Sequence, residues 1–210
     1  MSSPICLKLK SEVSTGYCQN LRIICEKYLQ HEQDLYHVSI DFKKAFDRVW
    51  HVALRATMEK YNIGTNLIQV IKNLYSKATN AVLLNSSIGD WFRTKVGVPQ
   101  GCLLSPTLFN IFLKRIMIDA LEDHKGTVSI GGRTITNLRF AGDIDGLARE
   151  EEELANLVER LNKASTAYGM EISTQKTKLM TKNTSGINTE IKVNGQKLET
   201  VTSFNTWAQL

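Results

Sequence analysis

Proline is scarce in this chain, three residues in 210, and neither a Gly/Ser-rich stretch nor an internal repeat interrupts it. With no linker composition to divide it, one continuous domain is the simplest organisation. Cysteine supplies no framework either. Cys6, Cys18, Cys25 and Cys102 form no Cys-x-x-Cys pair and have no His at ligand spacing, which argues against a zinc site or a disulfide scaffold and for a reducing, intracellular setting, nuclear or cytoplasmic. Nowhere do eighteen apolar residues run together, and Met1 to Lys10 has no long apolar core behind a basic head. A membrane span and a secretory leader are therefore not expected, and the chain reads as soluble. Charge is close to balance: 26 Lys plus Arg against 21 Asp plus Glu leave +5, with a pI near 9.0. That excess permits a polyanionic partner without requiring one. What is present is 42% hydrophobic residues, enough for a real core and too many for a disordered tail.

Periodicity gives the order of elements. Leu21, Ile24, Cys25, Tyr28 and Leu29 mark a helical stripe, and Tyr36, Val38 and Ile40 alternate as a short strand with Asp41 at its end. A helix is expected from Lys44 to near Gly64 through Phe46, Val49, Trp50, Leu54 and Met58, and a second from Leu67 to Leu74. Ala81 to Trp91 reads as a hairpin, and Gly97 to Gly101 as a loop. Ser105 followed by Pro106 makes an N-cap and first-turn pair for a helix reaching about Asp123. Thr134 to Phe140 and Ile144 to Leu147 flank a tight turn at Ala141-Gly142-Asp143. The acidic run Glu150 to Glu153 opens a further helix, with Gly169 as its C-cap. Ile172 and Thr177 to Met180 add a strand, and Glu190 to Val201, with Asn194-Gly195 at its centre, a last hairpin. Strand, helices, strand, strand, helix, strand is the split βαβ order of an α+β, ferredoxin-like layer.

That topology sets the first strand beside the central hairpin, so Asp41 and Asp143 can converge. Two carboxylates at strand ends suit Mg²⁺, which takes hard oxygen ligands. A pair of such ions about 3.5–4 Å apart activates an attacking hydroxyl and stabilises a leaving oxygen in phosphoryl transfer.

Four segments in order, Asp41-Phe42-Lys43-Lys44-Ala45-Phe46-Asp47, Gly97-Val98-Pro99-Gln100-Gly101-Cys102-Leu103-Leu104-Ser105-Pro106, Phe140-Ala141-Gly142-Asp143, and Tyr168-Gly169 through Lys176-Thr177-Lys178, carry a resemblance. They resemble the palm motifs of reverse transcriptases, in the style of non-LTR, LINE-like retrotransposons, over about Leu21 to Phe204. The resemblance implies an RNA-directed DNA polymerase acting on an RNA template, a DNA primer and deoxynucleoside triphosphates with two Mg²⁺ ions. Asp41 and Asp143 would be the catalytic and metal-binding carboxylates. Phe46 would be the aromatic gate beside the incoming sugar, where a ring clashes with a 2′-hydroxyl. Pro99, Gln100 and Gly101 would line the nucleotide and template pocket, and Lys176 would protonate the leaving pyrophosphate. Asp47, at the same helix start as Phe46, reads as a structural hydrogen-bonding residue. The implied domains are a residual fingers helix in 1–35, the palm in 36–204 with fingers-like helices and a hairpin inserted at about 65–95, and a divergent end at 205–210.

Departures from the family pattern point to lost activity. Its central hairpin carries an Asp-Asp pair, and here the first of the two is Gly142. Asp145 is read as having the parity of the missing carboxylate but lies one step along the strand, which makes it a poor substitute. Upstream fingers segments and a thumb are expected to be missing, so polymerase activity should be severely reduced or absent. A non-catalytic retrotransposon remnant with weak nucleic-acid binding is the alternative, and a metal-dependent nuclease using Asp41, Asp47 and Asp143 a third reading. The segment from Tyr61 to Ile118 holds Lys72, Lys77, Arg93, Lys95, Lys114 and Arg115 against the single acid Asp90, a basic surface of the kind that attracts phosphates.

Overall fold

The computed structural model describes residue 16 and residues 19–140, 142–182 and 189–201. The divergent end at 205–210, residues 1–15, 17 and 18 of the 1–35 segment and Ala141 of the central turn lie outside the described residues. A helix through residues 19–30 (α1) leads to β1 (Leu35–Ile40), all six of whose residues are buried. A short 3-10 turn, Ala45–Arg48, precedes helices α2 (His51–Lys60) and α3 (Thr65–Lys77). The exposed pair β2 (Leu83–Leu84) and β3 (Ser87–Ile88) and the helix α4 (Ser105–Leu121) come next. A small hairpin, β4 (Ser129–Ile130) and β5 (Arg133–Thr134), then precedes β6 (Asn137–Phe140) and β7 (Asp143–Ala148). Helix α5 (Glu151–Ala167) and the strands β8 (Lys178–Lys182), β9 (Lys192–Val193), β10 (Gln196–Lys197) and β11 (Glu199–Thr200) complete the chain.

The main sheet runs β11-β8-β1-β7-β6, with β1 at its centre, antiparallel to both β7 and β8. Alternation sorts the side chains of β1. Tyr36, Val38 and Ile40 join the larger core with Phe109, Phe112 and Ile116 of α4 and Leu154, Leu157 and Val158 of α5. Leu35, with Leu147 of β7, joins a smaller core against Leu21, Ile24, Cys25 and Tyr28 of α1 and Val128. Gly146 of β7 lies where the sheet meets α5: a Cβ there would come within 3.0 Å of both Leu157 and Val38. Among the described residues no helix is long and apolar enough to cross a membrane.

The expected helix from Lys44 to Gly64 is broken. Lys44 sits in the left-handed region at φ 48, and Trp50 is extended. The reason is a non-local pairing: Val98 N–H donates to Phe46 O at 2.8 Å, Gly97 N–H to Val49 O at 2.9 Å, and Trp50 bridges Val96. These bonds stretch the backbone that local periodicity would coil. Ser105 is not an N-cap; it is the first helical residue, buried, with Leu104 at the cap and no side-chain capping bond. α5 closes in a Schellman arrangement, with Tyr168 as its cap and the expected Gly169 as the left-handed residue that follows. Gly169 (φ 75) donates to Thr166 O and Met170 to Ser165 O. The last hairpin is shorter than read from sequence: β9 and β10 pair around Asn194-Gly195, both at positive φ, while β11 leaves them to add parallel to β8.

Candidate active site

Asp41 is the residue after β1, and the 172–177 loop pins its backbone from both sides. Its N–H donates to Thr177 Oγ1 at 3.3 Å, its carbonyl accepts from Ser173 N–H at 2.8 Å, and Phe42 bridges Ile172. The register Ser39↔Asp145, Ile40↔Ile144, carried one residue further, sets Asp41 opposite Asp143 at the head of β7. Directly opposed residues of an antiparallel pair share a face, so both carboxylates lie at the open end of the sheet face that α1 covers at its other end. Lys176 Nζ stands 3.4 Å from Asp41 Oδ2, on a side chain 74% exposed.

Asp145 is on that face too, one pair deeper. It is fully buried, and its Oδ1 lies 2.8 Å from Nε2 of the equally buried His37. Its parity along β7 is that of Asp143, opposite to Gly142. The possible substitute named from sequence is therefore held inside the protein by a histidine. The pair left no signal beyond the apolar company of Asp145 in Ile144-Asp145-Gly146-Leu147-Ala148.

Phe46 is brought to the same region by the Val98 bond and stacks on Phe109, ring centroids 4.9 Å apart at 20°. Phe109 is buried on α4 and also underlies the central turn: a Cβ at Gly142 would sit 3.6 Å from Phe109 Cε1, an ordinary contact. Pro99, Gln100 and Gly101 are exposed on the loop that continues from Val98. Gly101, at φ 86, turns that loop so that Cys102 N–H reaches Pro99 O at 3.4 Å, a conformation other residues adopt only with strain. Cys102 precedes α4, and hydrogen bonding from Leu104 N–H draws its thiol below the ordinary range. Below the site, Glu171 takes Lys43 and Arg48 at 2.6 Å each, tying the 3-10 turn to the 172–177 loop. The Lys43 hydrogen bond, ahead of the nearby charges, holds the Glu171 carboxyl under the usual carboxylate range.

Asp41, Phe46, the Pro99–Gly101 loop and Lys176 are thus tied to one framework, with Asp143 opposite Asp41. Asp47 is exposed on the 3-10 turn, and its carbonyl abuts Gly97. No group of three His, Cys, Asp or Glu able to hold a metal occurs among the described residues, which leaves the nuclease trio Asp41, Asp47 and Asp143 unassembled. Two hard carboxylates on one face suit a single Mg²⁺ whose remaining positions go to water and phosphate oxygens.

The reverse transcriptase (RNA-dependent DNA polymerase) family matches residues 6–201. This chain belongs to the reverse transcriptase family. The reverse transcriptase chain is 29% identical over 167 residues to the retrovirus-related Pol polyprotein from type-1 retrotransposable element R2 of Nasonia vitripennis, covering 80% of this chain and 16% of the relative. It is 36% identical over 73 residues to the RNA-directed DNA polymerase from mobile element jockey of Drosophila funebris, covering 35% of this chain and 8% of the relative. These relatives are polymerases of non-LTR retrotransposons, and the chain spans less than a fifth of their length. The telomerase of Candida albicans, solved with a fragment of telomeric RNA, shares the fold at a TM-score of 0.60 and 14% identity, over 89% of this reverse transcriptase chain and 32% of that one.

Proposed function

We propose that this chain carries the palm of a retrotransposon RNA-directed DNA polymerase whose carboxylate centre is depleted, so that nucleotidyl transfer is severely reduced. The observation that carries the reading is Gly142 at the central turn. It removes a carboxylate next to Asp143, and the buried Asp145 does not replace it. In this reading residues 36–204 form the palm, with fingers-like elements at about 65–95. The antiparallel order β8-β1-β7-β6, with α4 and α5 packed on one face, supports a split βαβ, ferredoxin-like layer.

The substrates would be an RNA template, a DNA primer and a deoxynucleoside triphosphate. Asp41 and Asp143 would hold Mg²⁺, which when bound supplies Lewis-acid polarisation of a phosphoryl oxygen. Phe46, fixed by its stack on Phe109, would meet a 2′-hydroxyl and so favour deoxyribonucleotides. Gln100 offers an amide donor and acceptor on an exposed loop, between Pro99 and Gly101, where backbone can approach a nucleotide. Lys176 has a mobile, exposed ammonium suited to giving its proton to the leaving pyrophosphate. With Asp41 as its ion-pair partner, the same ammonium offsets one of the two remaining carboxylate charges. That contact favours the second reading, a non-catalytic remnant that retains nucleic-acid binding.

Primer extension on an RNA template with Mg²⁺ tests the proposal. The unmodified chain should extend poorly or not at all, and Gly142→Asp should extend better, because a Cβ at that position meets Phe109 only at ordinary contact distance. Clear extension by the unmodified chain overturns the reading. A silent Gly142→Asp chain that still binds primer-template supports the remnant instead.

A further inference from the structure

A cavity of about 280 Å³ lies between α2, α3 and the segment 93–95, away from the Asp41 carboxylate. Its lining includes Trp50, 42% exposed, and Tyr75, together with four cations, Arg55, Lys72, Arg93 and Lys95, and no acid. Those cations come from three separate elements and form no ion pair among the described residues. An apolar aromatic floor edged only by positive charge matches one ligand chemistry closely: an unpaired base stacked on a ring, its flanking phosphates on Lys and Arg.

The groove is also wired to the candidate nucleotide loop. Trp50 pairs by its backbone with Val96, and His51 Nε2 lies 2.7 Å from the carbonyl oxygen of Gly97, two residues before Pro99. His51 stands against Tyr75 as well, ring centroids 4.9 Å apart. A strand held in the groove would thus adjoin the backbone that carries Pro99 to Gly101.

We propose that this groove is a single-stranded RNA-binding site, separate from the carboxylate centre, in which Trp50 stacks a base and Arg55, Lys72, Arg93 and Lys95 take the phosphates. The proposal rests on the nucleic-acid reading of the fold but not on catalysis. Its test is therefore binding: fluorescence anisotropy of a labelled single-stranded RNA 12-mer with the full chain, at several salt concentrations. Trp50→Ala should weaken binding about 5- to 150-fold, the range for loss of one base–aromatic stack. The Arg55→Gln/Lys72→Gln/Arg93→Gln/Lys95→Gln chain should lower the slope of log K against log salt by about 3, four phosphate contacts to a single strand.

A control, Lys125→Gln/Arg133→Gln, which removes two exposed cations outside the groove, should bind the RNA as the unmodified chain does, which separates this site from general positive charge. The charge variant alters side chains and not the Trp50–Val96 pairing, so it remains informative if Trp50→Ala unfolds by circular dichroism. Unchanged affinity and salt slope in the charge variant would overturn the proposal. So would equal binding of a blunt duplex of the same length, which offers no unpaired base, or equal competition by polyglutamate.

Discussion

Replacing Asp145 by Ala separates a structural from a metal-binding role for this carboxylate. Its side chain is fully buried and its oxygen lies 2.8 Å from His37 Nε2, with the histidine 3% exposed. Removing the acid leaves a buried imidazole nitrogen without that partner and opens space beside the smaller core. Leaving one buried polar partner unsatisfied costs about 1–3 kcal/mol, more where the removed group is a carboxylate; about 3 kcal/mol is therefore expected here. For a domain of this size each kcal/mol moves the melting temperature by about 2–4 °C, so Asp145→Ala should melt about 6–12 °C lower. Circular dichroism melts of the unmodified chain, Asp145→Ala, His37→Ala and the double variant give the loss and, through the cycle, the coupling between the two side chains. The double variant should lose clearly less than the sum of the singles. A loss below 1 kcal/mol with no coupling to His37, accompanied by weaker Mg²⁺ binding, would refute the structural role and support Asp145 as a metal ligand.

Other outcomes follow from the same geometry. Gly146→Ala should cost about 1–3 kcal/mol in urea unfolding, because its methyl meets Leu157 and Val38 at 3.0 Å in the packed layer between sheet and α5. Burial pushes His124 below its ordinary value of 6.5, against the pull of Glu153 and with the help of Arg160. Its folded-state pKa is depressed, so the folded chain binds fewer protons than the unfolded one. The stability it contributes is full above about pH 6.5 and falls as pH drops toward the folded value. Urea midpoints measured from pH 7.5 to pH 5 should show that loss, and His124→Gln should flatten it. Asp41→Asn should change stability by less than about 1 kcal/mol, since its partner Lys176 is 74% exposed, yet remove any primer extension gained by Gly142→Asp.

The strand alternation of Tyr36 to Ile40 and the turn at Gly142 were enough to bring Asp41 and Asp143 together from sequence, because each strand's ends are marked locally and the topology follows from element order. The 46–50 segment was not legible. Phe46, Val49 and Trp50 have helical spacing, and only pairing with residues 96–98, some fifty positions away, stretches them out. The same non-local cause hid the stack of Phe46 on Phe109 and the parallel addition of β11 to β8. The parity given to Asp145 was wrong: three positions from Gly142, it shares the face of Asp143, where it is buried against His37.

The central place of β1 has a consequence during synthesis. Its six buried residues leave the ribosome well before their partners: β7, its first neighbour, begins about 100 residues later and β8 later still. At about 5–20 residues per second, β1 waits roughly 5–20 s with both edges and both faces uncovered. In that interval α1 and the helices that follow β1 can shelter it. Slowing elongation after β1 should therefore lower the yield of soluble chain, and fast elongation or a holdase acting before Asp143 emerges should raise it.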